Sequence, residues 1–160
     1  MAALEAIMSR IAIKDEEESS PPGRLATAVI AVATTGAGFV DLTPAIEAWL
    51  ERQGMRDGLL TLFIRHTSAS LTIQENADPD VRKDLLDALG RLAPESAPWR
   101  HASEGPDDMP SHVKAALTDT SLSLPVLGGE LTLGTWQAIY LIEHRTEPQD
   151  REVRLHYLGS

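Results

Sequence analysis

The sequence predicts an α+β fold built on antiparallel sheets. Three observations lead there. Strand-like and helix-like runs are mixed along the chain rather than strictly alternating. The helix-like runs are short and carry start and stop residues at their ends. The C-terminal half is rich in strands, where "SLSLPV", "ELTLG", "WQAIYLIEH" and "REVRLHYLG" are separated in places by the turns "LGG" and "TEPQD". A chain of 160 residues with a hydrophobic fraction of 42% is long enough for one domain with a real core.

Residues 1–22 read as an N-terminal extension and linker. "KDEEESSPP" (14–22) is charged and proline-ended, with too little apolar surface to offset the entropy of ordering it. Leu4, Ile7 and Met8 can form one amphipathic turn ahead of it. The domain proper spans 23–160. "RLATAVIAVAT" (24–34) is apolar and rich in β-branched residues, hence a strand, and "GFVDLT" (38–43) is a second strand after a glycine turn. "TPAIEAWLERQG" places Thr43 as N-cap, Pro44 at the first helical position and Gly54 at the stop. Residues 57–76 form two strands or one long bent strand, with Leu60, Leu62, Ile64 and His66 on one face. "DPDVRKDLLDALGRL" is a helix capped by Asp78, with Val81, Leu85, Ala88, Leu89 and Leu92 as its buried stripe. Residues 93–110 are a long loop, and Pro110 begins a short helix. In "GTWQAIYLIEHR", alternation sets Trp136, Ala138, Tyr140 and Ile142 on one face, with Trp136 expected in the core. His144 and His156 read as surface histidines near strand ends.

The formal net charge of -10 disfavours nucleic-acid and anionic-membrane partners. No apolar run is long enough to cross a bilayer as a helix. The absence of cysteine excludes disulfides and thiolate metal sites, and fits a cytoplasmic protein. There is no Walker A loop, no Rossmann glycine fingerprint and no GxSxG elbow.

Three clusters carry groups capable of chemistry. "RHTSAS" offers His66, Thr67, Ser68 and Ser70, and runs on to Glu75 and Asn76. The loop-to-helix stretch 99–117 holds His101, Glu104, Asp107, Asp108 and His112, a set of imidazoles and carboxylates suited to zinc, manganese or magnesium. In the alternative, structural reading of that stretch, Asp107 and Asp108 cap the following helix. Trp136 and Gln137 can supply a wall and a hydrogen-bonding group for a flat ring. A metal set of His66, His101 and His112, with Glu75 or Glu104 activating water, would suit hydrolysis, because three ligands leave a coordination position open.

Taken together, "HTSASLTIQENADPDVRKDL" (66–85), "WRHASEGPDDMPSHVKAAL" (99–117), "SLSLPVLGGELTLGTWQAIYL" (121–141) and "HYLG" (156–159) resemble the YjbQ-type family, also called secondary thiamine-phosphate synthase. The resemblance implies a two-layer sandwich of mainly antiparallel sheets with short helices, assembled as a homotrimer. It implies a site lined by His66, Thr67, Ser68, Ser70, Glu75, Asn76, His101, Glu104, Asp108, His112, Lys114, Trp136 and Gln137. A divalent ion and a small phosphorylated substrate are the expected occupants. The implied activity is transferase chemistry of the thiamine-phosphate synthase type. A metal-dependent hydrolase and a non-enzymatic trimer binding a small anion are the alternatives. This chain departs from the family pattern with Ser111 before the histidine, where alanine is usual, and with Ala138 after "WQ", where glycine is usual.

Overall fold

The structure, a computed structural model, describes residues 23–160. The readings of residues 1–22 lie outside the described residues. Among the described residues, eight strands and three helices follow one another as β1 (Arg24–Ala33), β2 (Gly38–Asp41), α1 (Thr43–Gln53), β3 (Gly58–Ile64), β4 (Ala69–Glu75), α2 (Pro79–Leu92), α3 (Asp108–Leu117), β5 (Ser121–Leu127), β6 (Glu130–Leu131), β7 (Gln137–Glu143) and β8 (Asp150–Gly159). They build two antiparallel sheets, β1-β8-β3-β5-β6 and β2-β7-β4. The fold is the α+β arrangement of antiparallel sheets that the sequence predicts.

Residues 57–76 make two strands that belong to different sheets, joined by the turn 65–68. That crossover closes the sandwich. Leu60, Leu62 and Ile64 of β3 meet Leu71 of β4 and Ile139 and Leu141 of β7 in one core, which Val153, Leu155 and Tyr157 of β8 extend. Ile46, Trp49 and Leu50 of α1 join the same core. Strand β7 is buried on both faces from Ala138 to Glu143. Its second face lies under the other two helices. Arg82 of α2 sits over the Tyr140 ring and donates to its hydroxyl at 3.2 Å. Ser70, opposite Ile142 in the register, bonds to Thr118 just past α3.

Several local expectations change. Leu42, not Thr43, is the N-cap of α1, and Thr43 Oγ1 instead accepts the Ile139 N–H at 2.9 Å, tying the helix start to β7. Gly54 does stop the helix in the left-handed region at φ 60°. Asp78 caps α2 through the Asp80 N–H at 2.9 Å. The stripe of α2 is only half-buried, and Leu92 is 66% exposed, because the helix rests on one small sheet instead of in a core. Helix α3 begins at Asp108, two residues before Pro110. "ELTLG" pairs only over Glu130–Leu131. Trp136 is 64% exposed, since it precedes the first paired residue of β7. His144 is buried, at 2%, because it continues the Tyr140–Ile142 face under α3. His156 is exposed, but in the middle of β8.

Candidate metal centre

The long loop is an ordered frame. The Ala97 N–H donates to Pro94 O at 3.2 Å, and the Trp99 Nε1–H reaches the same carbonyl at 2.9 Å. The return into α3 passes through Gly105 at φ 111°, a conformation open to glycine and strained for other residues. This path carries His101 back over the first turn of α3. There Asp108 and His112 stand four residues apart and share a helix face.

One ligand atom from each of His101, Asp108 and His112 lies within 4.8 Å of the others. His101 Nε2 is 2.6 Å from Asp108 Oδ2, and His112 Nε2 is 3.4 Å from that same oxygen. The His112 Nδ1–H donates to Thr67 O at 3.0 Å. In a neutral imidazole this leaves a bare lone pair on Nε2, turned toward a carboxylate oxygen. Two electron-pair donors at that distance call for a cation or a proton between them. Zinc bonds of about 2.0–2.1 Å in a tetrahedron set ligand atoms about 3.4 Å apart. The His112–Asp108 pair has that spacing; the His101–Asp108 pair has hydrogen-bond spacing and would open by under about 1 Å. The donor set fits a divalent cation, with the orienting hydrogen bond on the distal nitrogen that metal-ligating histidines use.

Asp108 is buried, and its other oxygen is held by Arg145 Nη1. The same guanidinium donates from Nε to Asp107 Oδ2 at 3.1 Å and from Nη2 to Glu104 O at 2.8 Å. Asp107 also accepts the Thr146 N–H at 2.9 Å and the Thr146 hydroxyl at 3.0 Å. Burial pushes the Asp107 carboxyl up, but those hydrogen bonds outweigh it and hold it below the usual aspartate value. Asp107 occupies the N-cap position without capping the helix; its side chain is spent on the β7–β8 loop. Ser111 Oγ lies 2.6 Å from Asp107 O and 2.9 Å from His144 O, which pins α3 to that loop.

The other residues expected in the site divide. Glu104 is close, with Oε1 3.9 Å from His101 Nε2. Thr67 contributes its carbonyl. His66 stands apart from the three-residue cluster: its Nε2 accepts the Glu152 N–H at 3.0 Å, so the lone pair expected to bind metal is occupied. Burial and then Arg151 lower its pKa. Ser68 Oγ accepts from Arg151 Nη2 at 3.0 Å. Ser70, expected to touch substrate, is fully buried and lies 2.8 Å from His144 Nε2. Lys114 is two residues from His112, which turns it about 200° around α3, and its charge bears on His144 instead. Glu75, Asn76, Trp136 and Gln137 gather at the opposite end of the small sheet, where Glu75 pairs with Gln137. Asn76 donates its N–H to Trp136 O at 3.0 Å, and Gln137 Oε1 accepts the Gly134 N–H at 2.8 Å. Six residues of β7 separate that end from Glu143, about 20 Å.

Sequence reasoning missed Arg145, His144 and Arg151. Arg151 pairs with Glu143 at 2.7 Å inside the sandwich, and Thr34 Oγ1 completes that carboxylate at 3.0 Å. The signal for His144 was present, because strand parity places it with Tyr140 and Ile142. Arg145 and Arg151 bond to partners 37–41 and 83 residues away along the chain, as well as to nearby Glu143, and local pattern does not reveal such long-range contacts.

A family model described as "UPF0047 protein YjbQ-like" matches residues 28–160. The UPF0047 protein sll1880 of Synechocystis sp. is 48% identical over 82% of this chain and 90% of its own length. Among solved structures, the conserved protein TT1486 from Thermus thermophilus is 40% identical with a TM-score of 0.72, covering 80% of this chain and 97% of that one. APE1520 from Aeropyrum pernix K1 is 32% identical with a TM-score of 0.78, covering 84% and 99%. Most of the described domain lies inside these matches, and the chain belongs to the UPF0047 YjbQ-like family.

Proposed function

We propose that the chain is a metal-dependent enzyme acting on a small phosphorylated molecule, with His101, Asp108 and His112 holding one divalent cation. The observation that carries this reading is the His112 Nε2 lone pair facing Asp108 Oδ2 at 3.4 Å, with the Nδ1–H fixed on Thr67 O. Three protein ligands leave room for an oxygen of the substrate. A bound cation would supply Lewis-acid polarisation of that oxygen. Arg145 holds the second oxygen of Asp108 and so fixes the direction in which the first one points. Glu104, exposed beside His101, is placed to take a proton from an attacking water.

This arrangement supports hydrolysis better than the thiamine-phosphate synthase type of transfer. The transfer expected from the sequence sets Trp136 against the ring at the phosphate site, and Trp136 lies at the opposite end of the small sheet within one chain. The homotrimer belongs to the same proposal. Its support is the outer face of the five-stranded sheet, uncovered among the described residues, where Leu25, Leu158 and Leu59 form a row across three strands, with Val29 and Phe63 exposed further along.

Inorganic phosphate is a direct probe. Calorimetry should show phosphate binding to zinc- or manganese-loaded protein and none after chelation. Equal phosphate affinity with and without metal would overturn the reading.

A further inference from the structure

The frame that delivers His101 to the cluster also borders an open cavity of about 300 Å³ that the metal centre does not use. Its lining is Glu95, Ala97, Trp99, His101, Ala102 and Pro106, with Gly105. His101 belongs to both places: its Nε2 meets Asp108, and the residue lines the cavity. A substrate with one group at the metal centre therefore has this cavity beside it, on the His101 side.

The lining chemistry is selective. Ala97, Ala102 and Pro106 offer no donor side chains. The one indole donor, Trp99 Nε1–H, is committed to Pro94 O. What remains is a carboxylate, Glu95, the Trp99 ring and the His101 imidazole, whose Nε2 is already engaged with Asp108. A carboxylate accepts hydrogen bonds and attracts positive charge. An indole face attracts cations through its quadrupole and suits flat groups. The carboxylate and the indole select the same kind of ligand, and both disfavour an anion. The cavity is also preformed, because the two bonds to Pro94 O and the Arg145 bond to Glu104 O hold the loop before anything enters.

We propose that this cavity is a recognition subsite for a planar nitrogen cation of the amidinium or guanidinium class, carried by the molecule whose anionic end reaches the metal centre. Its role in catalysis rests on the metal-centre reading; the ligand preference of the cavity does not. Glu95 and Trp99 are then specificity residues, outside the reacting atoms.

The test uses metal-free protein, so its outcome is independent of the cation. Benzamidine and its anionic counterpart benzoate are titrated while the Trp99 indole N–H resonance is followed by NMR, assigned with Trp99→Phe. Benzamidine should shift that resonance saturably, and benzoate should not. Glu95→Gln, at an exposed position that leaves the fold intact, should weaken benzamidine by about fivefold. Benzoate binding as well as benzamidine, an unshifted Trp99 resonance, or unchanged affinity in Glu95→Gln would each overturn the proposal. Benzamidine binding in a protein that takes up no metal would retain the subsite and remove only the metal-centre reading.

Discussion

At the residue scale, His144 has the most distinctive environment. It is buried, its Nε2 lies 2.8 Å from Ser70 Oγ, and its Nδ1 has no partner among the described residues. Burial, and then the charge of Lys114, push its pKa down to about 4, with Glu143 acting in the opposite direction and Arg151 in the same one. The folded value lies below the unfolded value of 6.5, so below that pH the unfolded chain binds a proton that the folded chain resists. Stability should therefore fall as pH drops from about 6.5 to about 4, by about 3 kcal/mol in all. Below that range Asp107 and Glu143, whose carboxyls are held under their usual values, add their own losses. Urea midpoints measured across the range test this. His144→Asn should remove most of the slope between about pH 6.5 and about pH 4.5; an unchanged slope would assign the acid sensitivity elsewhere. The residue scale is also where the sequence was least legible. A histidine or arginine at a strand end can be surface or core depending on what the helices cover. The polar neighbours of Ser70 suggest a ligand contact, but its own parity buries it under α3.

At the element scale, local rules served well where the physics is local. Gly54 and Asp78 ended and began helices as their backbone and side-chain chemistry requires. They failed at Thr43 and Pro110, where tertiary bonds to β7 and to the β7–β8 loop moved the helix starts. The apolar spacing of α2 gave its inner face correctly but not its depth, which depends on how much sheet lies beneath it. One element contact admits a sharp test. Gly58 begins β3 against the end of β8, and an added Cβ would meet Leu158 O at 2.5 Å and Gly159 Cα at 2.7 Å. Backbone atoms there cannot yield as a flexible side chain would. Gly58→Ala should destabilise by about 1–3 kcal/mol, read from the denaturation midpoint. Gly90→Ala, where nothing lies within 4 Å of the added carbon, is the comparison and should be neutral or stabilising.

At the scale of the whole molecule, one broad face has no cover among the described residues. Helices α2 and α3 lie over the small sheet, whereas the outer face of β1-β8-β3-β5 shows Leu25, Val29, Leu59, Phe63, Leu127 and Leu158. The strand pattern made that exposure visible in part, since alternation separates Leu60, Leu62 and Ile64 from Leu59 and Phe63. Light scattering at micromolar concentration should return a trimer. Leu59→Glu combined with Phe63→Glu should shift the mass toward monomer while circular dichroism stays unchanged. A wild-type monomer would contradict the assembly, and a trimer that withstands both substitutions would move the interface off this face.

The assembly of His101, Asp108 and His112 from a loop and a helix was partly legible, because all three sit in one short stretch. Their spacing matches no compact motif, so their convergence depends on the loop path through Gly105 and on the Arg145 clamp. The most direct measurement is metal stoichiometry by elemental analysis and zinc titration, on the wild type, Asp108→Asn, His112→Ala and Lys114→Ala. The wild type and Lys114→Ala should each bind about one zinc per chain, with affinity lowered at least about 100-fold in the other two. A wild type that binds no divalent metal, or an Asp108→Asn variant that binds it unchanged, would contradict a metal centre at His101, Asp108 and His112.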